Sequence, residues 1–281
     1  MTLTKFLLPI TILLLFVGGC AREETGTVTA FCGSASKPAL EEAAATFEQE
    51  TGIRVYLNFG GSGTMLSQMK LGKSGDIYLP ASPDYMSLAE KDGIVAPDSM
   101  TIVAYLIPVI LVPAGNPKNI KTLADLARPG VTVAIGNPEA VSIGRYAVEI
   151  LERNDLLDEV APNIVTLAEN VSKLASLVAL KSVDAVLAWH VSAIDLDTVE
   201  IIYLEPEQIP RLSYISGAVT RFALNVASSQ KFLDFLVSPQ GQDIFRKWGY
   251  ITTESEARKF APGAWIGGEY RLPADYQSLL K

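Results

Sequence analysis

Apolar and polar positions along this chain repeat with two different periods, and the switches between them mark the elements. Thr27–Cys32 (TVTAFC) reads as a strand. After a Gly33–Ser36 turn, Pro38 suits the first turn of a helix. Ala39, Leu40, Ala43, Ala44 and Phe47 then recur at helical spacing, and Gly52 is a natural stop. Ile53–Phe59 predicts a second strand. Gly60-Gly61-Ser62-Gly63 follows, then a helix from about Thr64 and a third strand over Asp76–Pro80. Strand, short loop, helix, strand is the signature of a parallel sheet.

Thr101–Pro113 is a long apolar run interrupted by Pro108, suited to carrying the chain from one lobe to another. A second alternation follows. Val131–Ile135 reads as a strand, Gly136–Ser142 as a loop, and a helix runs to about Leu151. Asn170 is placed to cap a helix over Val171–Leu180, and Asp184–Trp189 is the next strand. Ser213–Asn225 is the candidate return strand, with Phe232–Val237 and Gly241–Trp248 helical. The chain's 281 residues suit two lobes of ordinary size, with lobe one from 27–107 plus 214–281 and lobe two from 108–213. The pattern does not place the tail after Tyr250.

The N-terminus changes the picture from a soluble chain to an exported one. Lys5 precedes the apolar run Phe6–Val17, which is too short for a comfortable membrane span of about twenty residues. The cluster Val17-Gly18-Gly19-Cys20 resembles the bacterial lipoprotein processing site, which implies a signal peptide over 1–19, lipidation of Cys20 and a polar tether over 20–26. An ordinary signal peptide or plain N-terminal anchor is the alternative. With Cys20 lipidated, Cys32 is the only other cysteine and has no intramolecular partner. Its apolar surroundings predict a buried, inert thiol.

Net charge is −8, and −9 once residues 1–19 are removed. An acidic surface disfavours nucleic acid and anionic membranes as partners. An anion site in this chain must therefore work through local hydrogen bonds. Inferred helices begin near Ser34, Ser62, Ser142 and Asn170, and a helix N-terminus offers unpaired N–H groups. Each of these polar residues can equally serve as an N-cap and nothing more. The 60–63 loop has three glycines, which let a backbone approach a ligand closely. No paired carboxylates or Cys/His cluster points to a metal or cofactor. The single histidine, His190, reads as structural rather than ligand-binding.

Several segments are similar in order and spacing to the molybdate/tungstate-binding proteins of ABC importers. They are TAFCGSASKPALEEAAATFEQETGIRVYLNFGGSGTMLSQM, GDIYLPAS, AIGNPEAVSIGRYAVEIL, LAENVSKL and LVSPQGQDIFRKWGY. The resemblance implies an α/β, two-lobed periplasmic binding protein fold. Each lobe is a mostly parallel sheet flanked by helices, with the ligand in the interlobe cleft. It also implies a monomeric, non-enzymatic protein at the periplasmic face or cell surface, lipid-anchored to the membrane and delivering molybdate or tungstate to a permease. By the same resemblance, the oxyanion would be held by the Ser34 and Ser62 hydroxyls and the Ile143 and Val171 backbone N–H groups, with Ser36 an alternative at the first position. Trp189 stands where the family often has Tyr, and its indole N–H is a donor. Sulfate, phosphate, chelated iron or an organic acid remain open as ligands on the same fold. A hydrolase is the rival class, but Gly60-Gly61-Ser62-Gly63-Thr64 fails the nucleophile-elbow pattern at Thr64. A structural or adhesive lipoprotein is the third.

Overall fold

Residues 26–97, 99–194 and 196–279 are described by a computed structural model. The expected signal peptide, Cys20 and the first part of the tether lie outside them. Strand β1 (Val28–Gly33) leads into helix α1 (Lys37–Thr51). Pro38 occupies the first turn, and Ala39, Leu40, Ala43, Ala44 and Phe47 form the buried face. Gly52 ends the helix in the left-handed region at φ 72°, its N–H donating to Glu48 O, a conformation that glycine adopts without strain. Then come β2 (Val55–Gly60), α2 (Ser62–Gly72), β3 (Ile77–Leu79) and α3 (Pro83–Lys91).

The apolar run splits at Ile107 into β4 (Thr101–Leu106) and β5 (Pro108–Pro113). Next are β6 (Val133–Gly136), α4 (Ser142–Arg153), the short α5 (Leu157–Val160), β7 (Ile164–Ala168), α6 (Val171–Ala179) and β8 (Ala185–Trp189). After β9 (Val199–Tyr203) the chain returns through β10 (Arg211–Val219) to α7 (Val226–Val237) and α8 (Pro239–Lys247). The tail contributes α9 (Glu254–Ala257), β11 (Trp265–Ile266) and α10 (Tyr276–Leu279).

Two sheets result. The first has the order β11-β10-β3-β1-β2 with β4 against β10, and the second β7-β6-β8-β5-β9. Both are mixed, where the sequence pattern predicted mostly parallel sheets. β1 pairs in parallel with β2 and β3, and β6 with β7 and β8. The antiparallel pairings all involve β5 or β10. These strands carry the chain between the sheets without an intervening α-helix, so they are free of the right-handed helical crossover that makes neighbours parallel. β10 lies in the first sheet from Arg211 onward, so that sheet gains its return strand before Tyr214.

At the first crossing, His190 N–H donates to Ile107 O (2.9 Å) and Ile107 N–H donates to His190 Nδ1 (3.1 Å). The imidazole is buried, and that burial lowers its pKa to about 4. Beside the cleft, Arg211 of β10 joins the two lobes. Its Nε donates to Glu149 of α4 at 2.8 Å, and its Nη2 lies 3.3 Å from Asp84 of α3. All three side chains are buried. Burial pushes the Glu149 carboxyl above its ordinary range, opposed by the Arg211 hydrogen bond.

Candidate functional site

Four helices and the strand ends before them converge between the sheets. Each loop leaves the carboxyl end of a parallel strand (β1, β2, β6 or β7), the region where ligands bind in open α/β sheets. Gly33, Ser34, Ala35, Gly60, Gly61, Ser62, Ala81, Val141, Ser142 and Val171 line one closely packed space. No side chain in that set is charged.

The hydroxyls do not cap their own helices. Gly61 and Val141 are the N-caps of α2 and α4, which makes Ser62 and Ser142 the first helical residues. Their side chains instead face each other, Ser142 Oγ donating to Ser62 Oγ at 2.9 Å. Ser62 Oγ also accepts from Ala81 N–H at 3.1 Å. Ser34 Oγ accepts from the Val171 N–H of α6 at 3.1 Å. Ser36 is turned away, its hydroxyl donating to Gly33 O at 2.7 Å. The capping role suits Asn170 alone among the four, since its side chain accepts from Lys173 N–H at 2.9 Å.

Small residues let the lobes meet this closely. A Cβ on Gly61 would come within 2.6 Å of Ala140 O and 2.9 Å of Glu169 O, both lobe-two carbonyls. One on Gly63 would lie 3.0 Å from Glu139 O, and the Gly63 N–H itself donates to Ala140 O at 2.9 Å. The glycines thus admit the opposite backbone. Tyr250 holds the lobe-one side by donating its hydroxyl to Ala35 O.

The structure brings Ser34, Ser62 and Val171 together around one space. Ile143 and Trp189 are not among the residues that surround it. Ile143 is the second residue of α4 and fully buried. Trp189 is also fully buried, its ring 5.1 Å from that of Tyr146, and its Nε1 has no hydrogen-bond partner. A buried donor without an acceptor is costly and needs a reason. Tyr146 follows Ser142 by one helical turn, so both side chains lie on one face of α4. Its buried hydroxyl makes no hydrogen bond of normal geometry, though Ser213 stands beside it. The sequence reading missed Tyr146; its i+4 spacing from Ser142 was the available signal. Ala81 was also missed, and its contribution is a backbone N–H that residue type does not reveal. His190 is tied to Ile107 and is not part of this space.

This arrangement of parallel strand ends and helix N-termini in two lobes has known counterparts. The sequence pattern of bacterial extracellular solute-binding proteins matches residues 28–251. The chain belongs to that family. Within it, the chain is 26% identical over 239 residues to the molybdate-binding protein ModA of Escherichia coli, a match spanning 83% of this chain and 92% of the relative. In fold it is similar to the periplasmic molybdate-binding protein of Azotobacter vinelandii, with TM-score 0.72, 19% identity and coverage of 81% of this chain and 100% of that one. It is equally similar to the sulfate-binding protein SubI of Mycobacterium tuberculosis, with TM-score 0.75, 18% identity and coverage of 86% and 94%. Family members with this architecture are solute-binding proteins acting outside the cytoplasm. Among the described residues no helix is long and apolar enough to cross a membrane.

Proposed function

We propose that this protein captures a small, fully deprotonated oxyanion, molybdate or tungstate, and delivers it to an ABC importer. The observation that carries this reading is a site made of donors without a carboxylate. Three serine hydroxyls, the Ala81 and Val171 N–H groups and the N-termini of α2, α4 and α6 meet where no charged side chain lies. Such a site supplies hydrogen bonds and partial positive charge to an anion. It holds no carboxylate to accept the proton that phosphate carries near neutral pH. Of the two acids near the site in sequence, Glu139 and Glu169, the Glu139 carboxylate accepts from Tyr276 and Gln277.

Donors alone do not separate sulfate from molybdate, and the likeness to a sulfate-binding protein keeps sulfate as the second reading. Size decides between them, because lobe closure fixes the spacing of the donors. The protein is a binding module on this reading: His190, the only imidazole, is committed to Ile107 and offers Ser62 no general base. The segment before the first strand would anchor a monomer to the membrane through lipidated Cys20. The test is a thermal-shift series over molybdate, tungstate, sulfate and phosphate. At a thousandfold excess over Kd, a true ligand adds about 4 kcal/mol of stability. Molybdate and tungstate should give the large shifts and phosphate none. A large sulfate shift with none from the heavier oxyanions would move the assignment to sulfate.

A further inference from the structure

The chain continues for thirty residues past Ile251, where the family match ends, and this extension does not stay on one lobe. It begins on lobe one, where α9 packs against β4 and β11 extends the sheet beside Arg211 and Leu212. Phe260 meanwhile stacks on Tyr203 of lobe two, centroids 5.5 Å apart. Gly267 and Gly268, both at positive φ, then turn the chain across the cleft's flank.

Tyr270 is held from both sides. Its N–H donates to Asp84 of lobe one at 2.9 Å. Its carbonyl accepts from Arg145 of lobe two at 3.2 Å, and its hydroxyl donates to Glu152 at 2.6 Å. Beneath it, Arg211 donates to Gly268 O at 2.7 Å while bridging Asp84 and Glu149. Farther on, the Tyr276 hydroxyl donates to Glu139 at 2.7 Å. Glu139 belongs to the turn before Ser142, whose Ala140 carbonyl receives Gly63 N–H.

We propose that the C-terminal extension is an interlobe clasp that holds the closed form and sets how slowly the bound anion leaves. Opening must break the Tyr270 and Tyr276 bonds to lobe two, because the backbone before them is fixed to lobe one. The clasp also reaches the loop that presents Ser142, so it acts on the part of lobe two that faces the ligand. This rests on the cleft being the ligand site, and it adds to the interlobe bonds that Arg211, Ser62 and Ser34 make within the family-matched region.

The test compares the chain from Ala21 onward with its Tyr270→Phe/Tyr276→Phe variant, which keeps both rings and removes both hydroxyl bonds. Tungstate release and capture are followed by stopped-flow fluorescence. The expected result is a release rate raised about tenfold, equivalent to about 1.4 kcal/mol, with capture no slower than in the wild type. A second variant ending at Gly268 should release faster still. A release rate equal to wild type in the double variant overturns the clasp.

If the wild-type chain binds no oxyanion, the functional reading fails, and lobe geometry then tests the clasp without ligand. Spin labels on Gln68→Cys of α2 and Glu159→Cys of α5 report the interlobe distance. Cys32 is fully buried with its thiol pushed up by burial, so it does not compete for label. Removing the two tyrosine hydroxyls should shift the distance distribution to longer values. An unchanged distribution overturns the proposal.

Discussion

Ser142 and Ser62, eighty residues apart and in opposite lobes, share one hydrogen bond between their hydroxyls at 2.9 Å. Ser62 also takes the Ala81 N–H. Ser62→Ala therefore strands a buried donor and should lower stability by about 1–3 kcal/mol without ligand. It should also weaken oxyanion binding about tenfold or more, as expected for a lost bond to a charged group. Urea unfolding and calorimetric titration measure the two effects separately. A variant with wild-type affinity would place Ser62 outside the site.

Ser34 and Asn170 should differ in their effect on binding. Asn170→Ala removes the α6 cap and should cost about 1 kcal/mol of stability, leaving the affinity of the folded protein unchanged. Ser34→Ala removes the hydroxyl that accepts from Val171 N–H, so it strands a buried donor and should, unlike Asn170→Ala, also lower affinity by about 1.5–3 kcal/mol. Equal effects of the two substitutions on binding would mean that the Ser34 hydroxyl has no special relation to the ligand.

Trp189 carries a buried indole N–H without a partner. If the ligand is its acceptor, Trp189→Phe should lower affinity by about 1.5–3 kcal/mol and abolish the fluorescence response to ligand. Trp248 and Trp265 would remain as silent reporters. Trp248 already donates its indole N–H to Glu42, and Trp265 is largely exposed. A fluorescence response that survives in the variant removes Trp189 from recognition.

His190 predicts a pH dependence of stability with a definite sign. Its folded pKa of about 4 lies below the ordinary 6.5 because burial disfavours the cation. Above pH 6.5 it is neutral in both states and contributes no pH dependence. Between pH 6.5 and about 4 the unfolded chain takes up a proton that the fold refuses, so stability falls with pH by up to about 3 kcal/mol. His190→Asn retains an acceptor for Ile107 N–H and should remove that part of the pH profile. Parallel profiles for the two proteins would contradict the shift.

The helices that present the site were legible because local chemistry marks them. Pro38 and Gly52 bracket α1, and Asn170 announces α6 through its own cap. The Ser62 and Ser142 loops could be located, but not the direction of their hydroxyls, which depends on a partner eighty residues away. α3 was missed although Ser82-Pro83 is a fair helix start, because its buried Asp84 obscures the apolar face. The Arg211 bridge was beyond local pattern altogether. A buried arginine at the start of an apolar strand gains its meaning from Glu149 and Asp84, and the latter is 127 residues distant. The tail resisted placement for the same reason, since Tyr270 and Tyr276 find their carboxylate partners on lobe two.

The double hydrogen bond between Ile107 and His190 has a mechanical consequence. It pins the first crossing at one point, so on the proposed opening the lobes would turn about it as the arms of tongs turn about a rivet. Trp189 adjoins His190 and sits opposite Pro108 in the sheet register, close to the fulcrum, where rotation displaces atoms least. If Trp189 contacts the anion, as the resemblance implies, the anion would meet it already in its final position. The Ser34, Ser62, Ser142 and Val171 groups, drawn from opposite arms, would come together only at the end of the stroke. Recognition would then proceed in order, from a fixed gauge at the rivet to a grip at the jaws.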